Sequence, residues 1–124
     1  MEDQLKATLK EIGLTEGEAK SYVALISLGT SSVGAIIEKA GISASKAYVI
    51  LDRLIKKGFA SMVVEQGVKL FTATEPERLI EYMDEQKSKL ESRKEDVKKI
   101  LPYLKAQKAS ATKEPIVEVT KGKR

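Results

Sequence analysis

The chain contains neither cysteine nor histidine among its 124 residues. Without cysteine, neither disulfide bonds nor thiolate metal ligands can form. Without histidine, the commonest zinc ligand and the most frequent general base are both missing. We therefore expect no enzyme activity, no metal site and no cofactor.

Long apolar runs are also lacking. The longest, such as Tyr22 to Ile26 and Ala47 to Leu51, are far shorter than the ~20 residues that a membrane-spanning helix needs. The N-terminus is acidic and has no apolar core of a secretion signal. The composition, with 42% hydrophobic and 32% charged residues, is that of a soluble globular protein. We expect a cytoplasmic location.

The main part of the chain carries no excess charge. Residues 1–104 hold 16 basic and 16 acidic side chains, whereas residues 105–124 hold six basic and two acidic ones. The whole net charge of +4 thus lies in the last twenty residues. Bulk charge alone does not indicate nucleic-acid binding, so any DNA contact by the folded part must come from local placement of basic groups.

Four helices are predicted before residue 58, over residues 3–12, 15–29, 33–40 and 44–57. A capping box, Thr15 with Glu18, begins the second helix, and glycines end all four. Ser43 is the predicted N-cap of the fourth helix. Only Gly41 to Ser43 separates the last two helices, which is typical of a helix-turn-helix.

A β-hairpin is predicted directly after these helices. Phe59 to Val64 and Val68 to Thr74 are short, apolar and partly β-branched, and Gly67 suits a three-residue hairpin loop with a bulge. Such a hairpin is the wing of a winged helix. The predicted fold class is mainly α with a small β-hairpin: a winged helix-turn-helix followed by a long C-terminal helix.

The long helix is predicted from Glu77 to about Leu101, with Pro102 expected to kink or end it. Its apolar residues form a heptad seam interrupted by Gln86 and Arg93. A parallel coil would place Arg93 opposite its own copy, so we favour an antiparallel homodimer; the alternative is that the helix packs on its own domain. The predicted dimerisation residues are Leu79, Met83, Leu90, Val97, Ile100 and Leu104.

The predicted organisation is a winged helix-turn-helix domain over 1–75, a dimerisation helix over 76–105 and a basic tail over 106–124. Within the tail, Pro115 to Val119 has the composition of a strand.

Two motif-rich segments resemble one family. They are Gly13–Leu14–Thr15 through Leu28–Gly29, and Gly41–Ile42–Ser43 through Lys56–Lys57–Gly58–Phe59. In order and spacing they are similar to the DNA-binding domain of archaeal TrmB-type sugar-responsive regulators, over about residues 5–105. The chain departs from the family where Ser43–Ala44 replaces a frequent Pro-Arg pair and where Val49 replaces Asp, so the family's DNA sequence preference does not transfer.

The resemblance implies that a large sugar-binding domain follows in full-length members. The segment Lys121–Gly122 looks like the entrance to that domain. The chain is then either a truncated piece or a natural short member, and we expect no complete small-molecule effector pocket in it.

The fourth helix, which ends the helix-turn-helix and precedes the wing, is the predicted recognition helix, and Ala47, Leu51 and Leu54 mark its inner face. Major-groove base edges are read by Arg, Lys and Ser, and thymine methyl groups by apolar side chains. The wing and the third helix add candidate phosphate contacts. The alternative is that these are ordinary solvated side chains. The candidate DNA-binding residues are Ser43, Ser45, Lys46, Tyr48, Val49, Arg53, Lys56, Lys69 and Lys39.

Three function classes follow. The first is sequence-specific binding of double-stranded DNA by a dimer that regulates transcription, which we favour. The second is a winged-helix protein–protein adaptor, since residues 1–75 hold nine basic and nine acidic side chains. The third is an architectural DNA-coating protein, which the basic tail would suit.

Overall fold

The computed structural model describes residues 1–111 and confirms the predicted fold class. The predicted strand near Pro115 lies outside the described residues. The elements are α1 (Glu2–Glu11), α2 (Glu16–Leu28), β1 (Ser31–Ser32), α3 (Val33–Ala40), α4 (Ala44–Lys56), β2 (Ala60–Glu65), β3 (Val68–Ala73) and α5 (Arg78–Ala111).

The predicted caps set the beginnings of the helices. The Thr15 hydroxyl accepts from the Glu18 backbone N–H at 3.2 Å, and the Glu18 carboxylate accepts from the Thr15 N–H at 3.0 Å, which completes the capping box of α2. Gly41 ends α3 in the left-handed conformation, with φ of 71°. The short turn that follows confirms the helix-turn-helix of α3 and α4.

The sheet contains three antiparallel strands in the order β1-β3-β2. The two-residue strand β1, which the sequence does not predict, pairs Ser31 with Phe71. The prediction of a three-residue loop with a bulge is wrong. Glu65 pairs with Val68, so the loop has two residues, Gln66 and Gly67, with φ of 52° and 79°. Two positive φ values match the twist of the flanking strands without a bulge.

The core lies between the helices and one face of the sheet. Phe59, at the start of the wing, packs edge-on against Tyr22 of α2 and Tyr82 of α5, with ring centroids 6.0 and 4.9 Å apart. Ile26, the last residue of the apolar run in α2, is 49% exposed. The largest apolar side chains that are less than 2% exposed are Leu25, Ile36, Leu51, Leu54 and Phe59.

Helix α5 differs from its prediction at both ends. It begins at Arg78 and continues through Pro102 to Ala111, so the predicted end near Leu101 is wrong and the helix extends into the segment described above as a basic tail. Proline removes one backbone donor, and good helix formers such as Lys105 and Ala106 extend the helix beyond that defect.

The chain forms two compact units, Met1–Asp84 and Glu85–Arg124. The first contains the winged helix and the first turns of α5. The second contains the rest of α5, which buries no side chain within the described residues. Within residues 1–111, no helix combines the length and the apolar character that crossing a bilayer requires.

Candidate nucleic-acid interface

The orientation of α4 defines the candidate interface. Ala47, Leu51 and Leu54 are fully buried, as predicted, and Ile50 is buried beside them. The helical repeat then places Ser45, Val49, Asp52 and Lys56 along the middle of the opposite, exposed face. Lys46 and Arg53 are exposed on one flank of that stripe.

The first turn of α4 is held by its own serines. The Ser43 hydroxyl accepts from the Ser45 backbone N–H at 3.2 Å, and the two hydroxyl oxygens lie 2.7 Å apart. Ser43 therefore stabilises the helix start, as a capping residue does. Both hydroxyls are exposed and keep hydrogen-bonding capacity for a further partner.

The structure brings Tyr48 of α4 together with Lys69 of the wing. The Tyr48 ring stacks edge-on against Phe71 of β3 with centroids 6.4 Å apart, and the Lys69 ammonium lies 5.5 Å from the centre of the Tyr48 ring. Tyr48 remains 48% exposed, so its outer edge is accessible. Helix α4 and the wing thus form one surface, held by an aromatic and a cation–π contact.

The last turn of α4 faces the beginning of α2 across a shallow depression of about 360 Å³, lined by Thr15, Glu18, Arg53, Lys56 and Lys57. Lys57 is neutralised here, because its ammonium lies 2.7 Å from the buried Glu18 carboxylate. Arg53 and Lys56 form no ion pair within residues 1–111. Their charges are therefore available to an anionic partner.

Two further candidate DNA-binding residues, Lys39 and Val49, make none of the contacts described above. Lys39 is exposed in the last turn of α3 and takes part in neither the serine pair nor the Tyr48 contact. Val49 is 52% exposed, which leaves an apolar side chain at the centre of a polar surface.

Two residues that are not among the predicted DNA-binding residues also belong to this site. Asp52 lies in its middle, and the same spacing that places Val49 and Lys56 there would have found it. Arg78 donates from its guanidinium to the Lys57 carbonyl at 3.1 and 2.9 Å and so caps the end of α4 from the start of α5. No local pattern in the sequence signals this contact, which spans 21 residues.

The predicted dimerisation residues divide into two groups. Leu79 is half-buried and packs against the core of its own domain. It also lines an apolar groove of about 380 Å³ together with residues of α1 and α2, among them Leu5 and Ile26. The other five are exposed: Met83, Leu90, Val97, Ile100 and Leu104.

Comparison with known proteins identifies the family. Residues 9–77 match the family model described as sugar-specific transcriptional regulator TrmB. The sugar-sensing transcriptional regulator TrmBL1 of Pyrococcus furiosus is 29% identical over 85 residues, which cover 68% of this chain and 25% of TrmBL1. The chain therefore spans only a quarter of that relative.

Solved structures agree on the fold. TrmBL2, described as an archaeal chromatin protein with a novel mode of DNA binding, superposes with a TM-score of 0.78 at 24% identity, over 97% of this chain and 49% of TrmBL2. A MarR-family regulator from Silicibacter pomeroyi superposes with a TM-score of 0.53 at 17% identity, over 93% and 84% of the two chains. Since the family model covers more than half of the chain, the protein belongs to the TrmB family of transcriptional regulators, whose DNA-binding domain is a winged helix.

Proposed function

We propose that the chain binds double-stranded DNA sequence-specifically, as a homodimer, and thereby regulates transcription. The observation that carries this proposal is the composition of the exposed α4 face. Val49 lies 52% exposed among Lys46, Arg53 and Lys56, beside a wing that brings Lys69 onto the same surface. An apolar side chain so placed gains nothing in water but fits a thymine methyl group, while the basic groups suit base edges and phosphates.

The roles of the individual residues follow from their positions. Ser45, Val49 and Lys46 lie in the first half of α4, the part that a helix-turn-helix usually directs at base edges. Lys39, Arg53, Lys56 and Lys69 surround it and are assigned to the phosphates or to outer bases, and the Tyr48 hydroxyl to a phosphate. Ser43 holds the helix start.

A second candidate function rests on the comparison with TrmBL2, which is described as a chromatin protein. The basic excess in residues 105–124 would suit such DNA coating. We favour the sequence-specific function because an exposed valine between basic side chains offers a contact to a thymine methyl group, whereas contacts to phosphates alone carry no sequence information.

The dimer is proposed to form through α5. Five seam residues are exposed over one heptad series, and a long helix that leaves them in water gains stability by pairing with a second copy. Arg93 in the seam favours the antiparallel arrangement, which separates the two guanidinium groups. Two tethered recognition helices then bind more tightly than one.

We propose no catalytic role and no cofactor for the chain, and a cytoplasmic location, where chromosomal DNA is accessible. The name of TrmBL1 refers to sugar sensing, but the match covers a quarter of that protein. We therefore assign DNA binding, and not sugar sensing, to the residues described.

Selection of bound sequences from a random duplex pool, at one fixed salt concentration, tests the function. We expect a defined consensus, and we expect Lys46→Ala and Arg53→Ala to weaken binding to it. Loss of a side chain that contacts a base should cost ~1–3 kcal/mol of binding free energy and relax the preference at one position of the consensus. Loss of a phosphate contact should weaken binding to all sequences equally. Lys6→Ala on α1 removes the same charge elsewhere and serves as the control. Binding without a consensus would support the coating function, and no binding at low salt would support a protein–protein adaptor.

A further inference from the structure

The exposed face of α4 carries one acidic side chain, Asp52. It follows Val49 by one turn and precedes Lys56 by another, so it lies in the middle of the surface assigned to DNA. A carboxylate at this position is repelled by the phosphates on both sides of a major groove. Non-specific binding would therefore be stronger without it.

Asp52 also has no partner among the residues around it. It forms no hydrogen bond and no ion pair within the part of the chain that the structure describes. Lys56 lies at the favourable i, i+4 spacing, yet the two side chains do not pair. The carboxylate stabilises neither the helix nor the domain through such a contact, and both oxygens remain free to accept hydrogen bonds from a ligand.

Base chemistry identifies which ligand group an unpaired carboxylate can use. An ionised carboxylate only accepts hydrogen bonds. In the major groove, the amino group of cytosine is a donor without an acceptor beside it on the same base, whereas adenine presents an acceptor next to its amino group and guanine presents only acceptors. The carboxylate is thus attracted by cytosine and repelled by guanine.

We infer that Asp52 is a specificity-determining residue that reads a cytosine amino group in the operator. This inference rests on the proposed function, because it requires α4 to lie in the major groove. Val49 and Asp52 are separated by ~4.5 Å along the helix axis. Successive base pairs are ~3.4 Å apart along the duplex. The two side chains are thus close enough for Asp52 to contact a base pair next to the thymine assigned to Val49.

Asp52→Asn tests the inference through a change of sequence preference. Asparagine has the same shape but offers both a donor and an acceptor, which matches the edge of adenine. Random-pool selection with the variant should lose the cytosine preference at one base pair, or replace it with adenine, and keep the rest of the consensus. Discrimination at that base pair, on the order of tenfold in the parent protein, should fall below about twofold for cytosine over thymine.

The control is Glu11→Gln at the end of α1. Glu11 is exposed and unpaired within residues 1–111, and this substitution removes the same negative charge away from α4. It should leave every position of the consensus unchanged. If Asp52→Asn also leaves the consensus unchanged and only raises affinity for all duplexes alike, Asp52 is not a base reader and the inference is wrong. If the parent protein selects no consensus at all, the proposed function fails instead, so the two failures are distinguishable.

Discussion

The buried ion pair between Glu18 and Lys57 links the beginning of α2 to the end of α4, and its removal should be costly. The Glu18 carboxylate is 1% exposed and has two partners, the Lys57 ammonium at 2.7 Å and the Thr15 N–H at 3.0 Å. Lys57→Met removes the charged partner and leaves the carboxylate buried with one hydrogen bond. A fully buried pair broken in this way costs ~3–5 kcal/mol. Because the Lys57 side chain is 24% exposed and water can reach part of the site, we expect a value of ~2–3 kcal/mol.

A double-mutant cycle separates this effect from loss of packing. Glu18→Gln keeps an oxygen for the Thr15 N–H and should cost only ~1 kcal/mol. The double variant should cost less than Lys57→Met alone, since no charge then remains buried. Urea unfolding at pH 7 and fixed protein concentration provides the free energies. Lys56→Met, at an exposed lysine without an ion pair within residues 1–111, should change stability by less than ~0.5 kcal/mol. Equal effects of the two lysine substitutions, or additive effects of Glu18→Gln and Lys57→Met, would refute the reasoning.

Three further predictions concern the same domain. Leu54→Ala removes a fully buried side chain and should lower the free energy of unfolding by ~2–5 kcal/mol; a near-neutral effect in a urea titration would mean that α4 is rotated. Gly58→Ala should destabilise by more than ~1 kcal/mol, because φ is +84° and the new Cβ would lie 2.6 Å from the Arg78 Nε, and an unchanged melting temperature would contradict that geometry. Burial raises the pKa of the Tyr22 phenol above its value in the unfolded chain. The stability that this shift contributes is fully present below about pH 10 and is lost as pH rises through the higher pKa of the folded state. Tyr22→Phe should flatten this alkaline loss of stability, and identical pH profiles of the two proteins would disprove it.

The sequence predicts the helices of the first unit because their signals are local. The capping box at Thr15 and the glycines that end the helices lie within a few residues of the boundaries that they set. Strand β1 has no comparable signal, since two serines carry no periodicity and pair only because β3 lies beside them. The two-residue turn escapes prediction because Gln66 occupies a positive φ that its type seldom adopts.

The candidate interface could be predicted only in part. Periodicity identifies which side of α4 is exposed, and it also places Asp52 there. It does not show that Lys69 meets Tyr48, because the wing must first fold onto α4. It does not show that Arg78 caps α4 either, or that Lys57 is neutralised by Glu18, a residue 39 positions away. These contacts depend on tertiary packing and decide which basic groups remain available to DNA.

Packing also determines where the DNA-binding unit can be separated from the proposed dimerisation helix. A cut at the predicted boundary near residue 75 would remove Leu79 and Tyr82, which pack against the core, and Arg78, which caps α4. We expect such a fragment to be strongly destabilised. A cut after Asp84 retains all three side chains and follows the division into two compact units.

We therefore expect residues 1–84 to fold as a monomer whose DNA affinity is much lower than that of the full chain, because a monomer has no second, tethered recognition helix. The dependence of binding on salt should weaken as well, with a slope that falls by ~0.9 for each phosphate that the fragment no longer neutralises. Sedimentation and DNA titration provide both measurements. Residues 1–111 serve as the control, since that chain keeps α5 and lacks only residues 112–124, which hold four basic and two acidic side chains. If residues 1–84 remain dimeric and bind DNA as the full chain does, α5 is not the dimerisation element, and the apolar groove between α1 and α2 becomes the surface to test next.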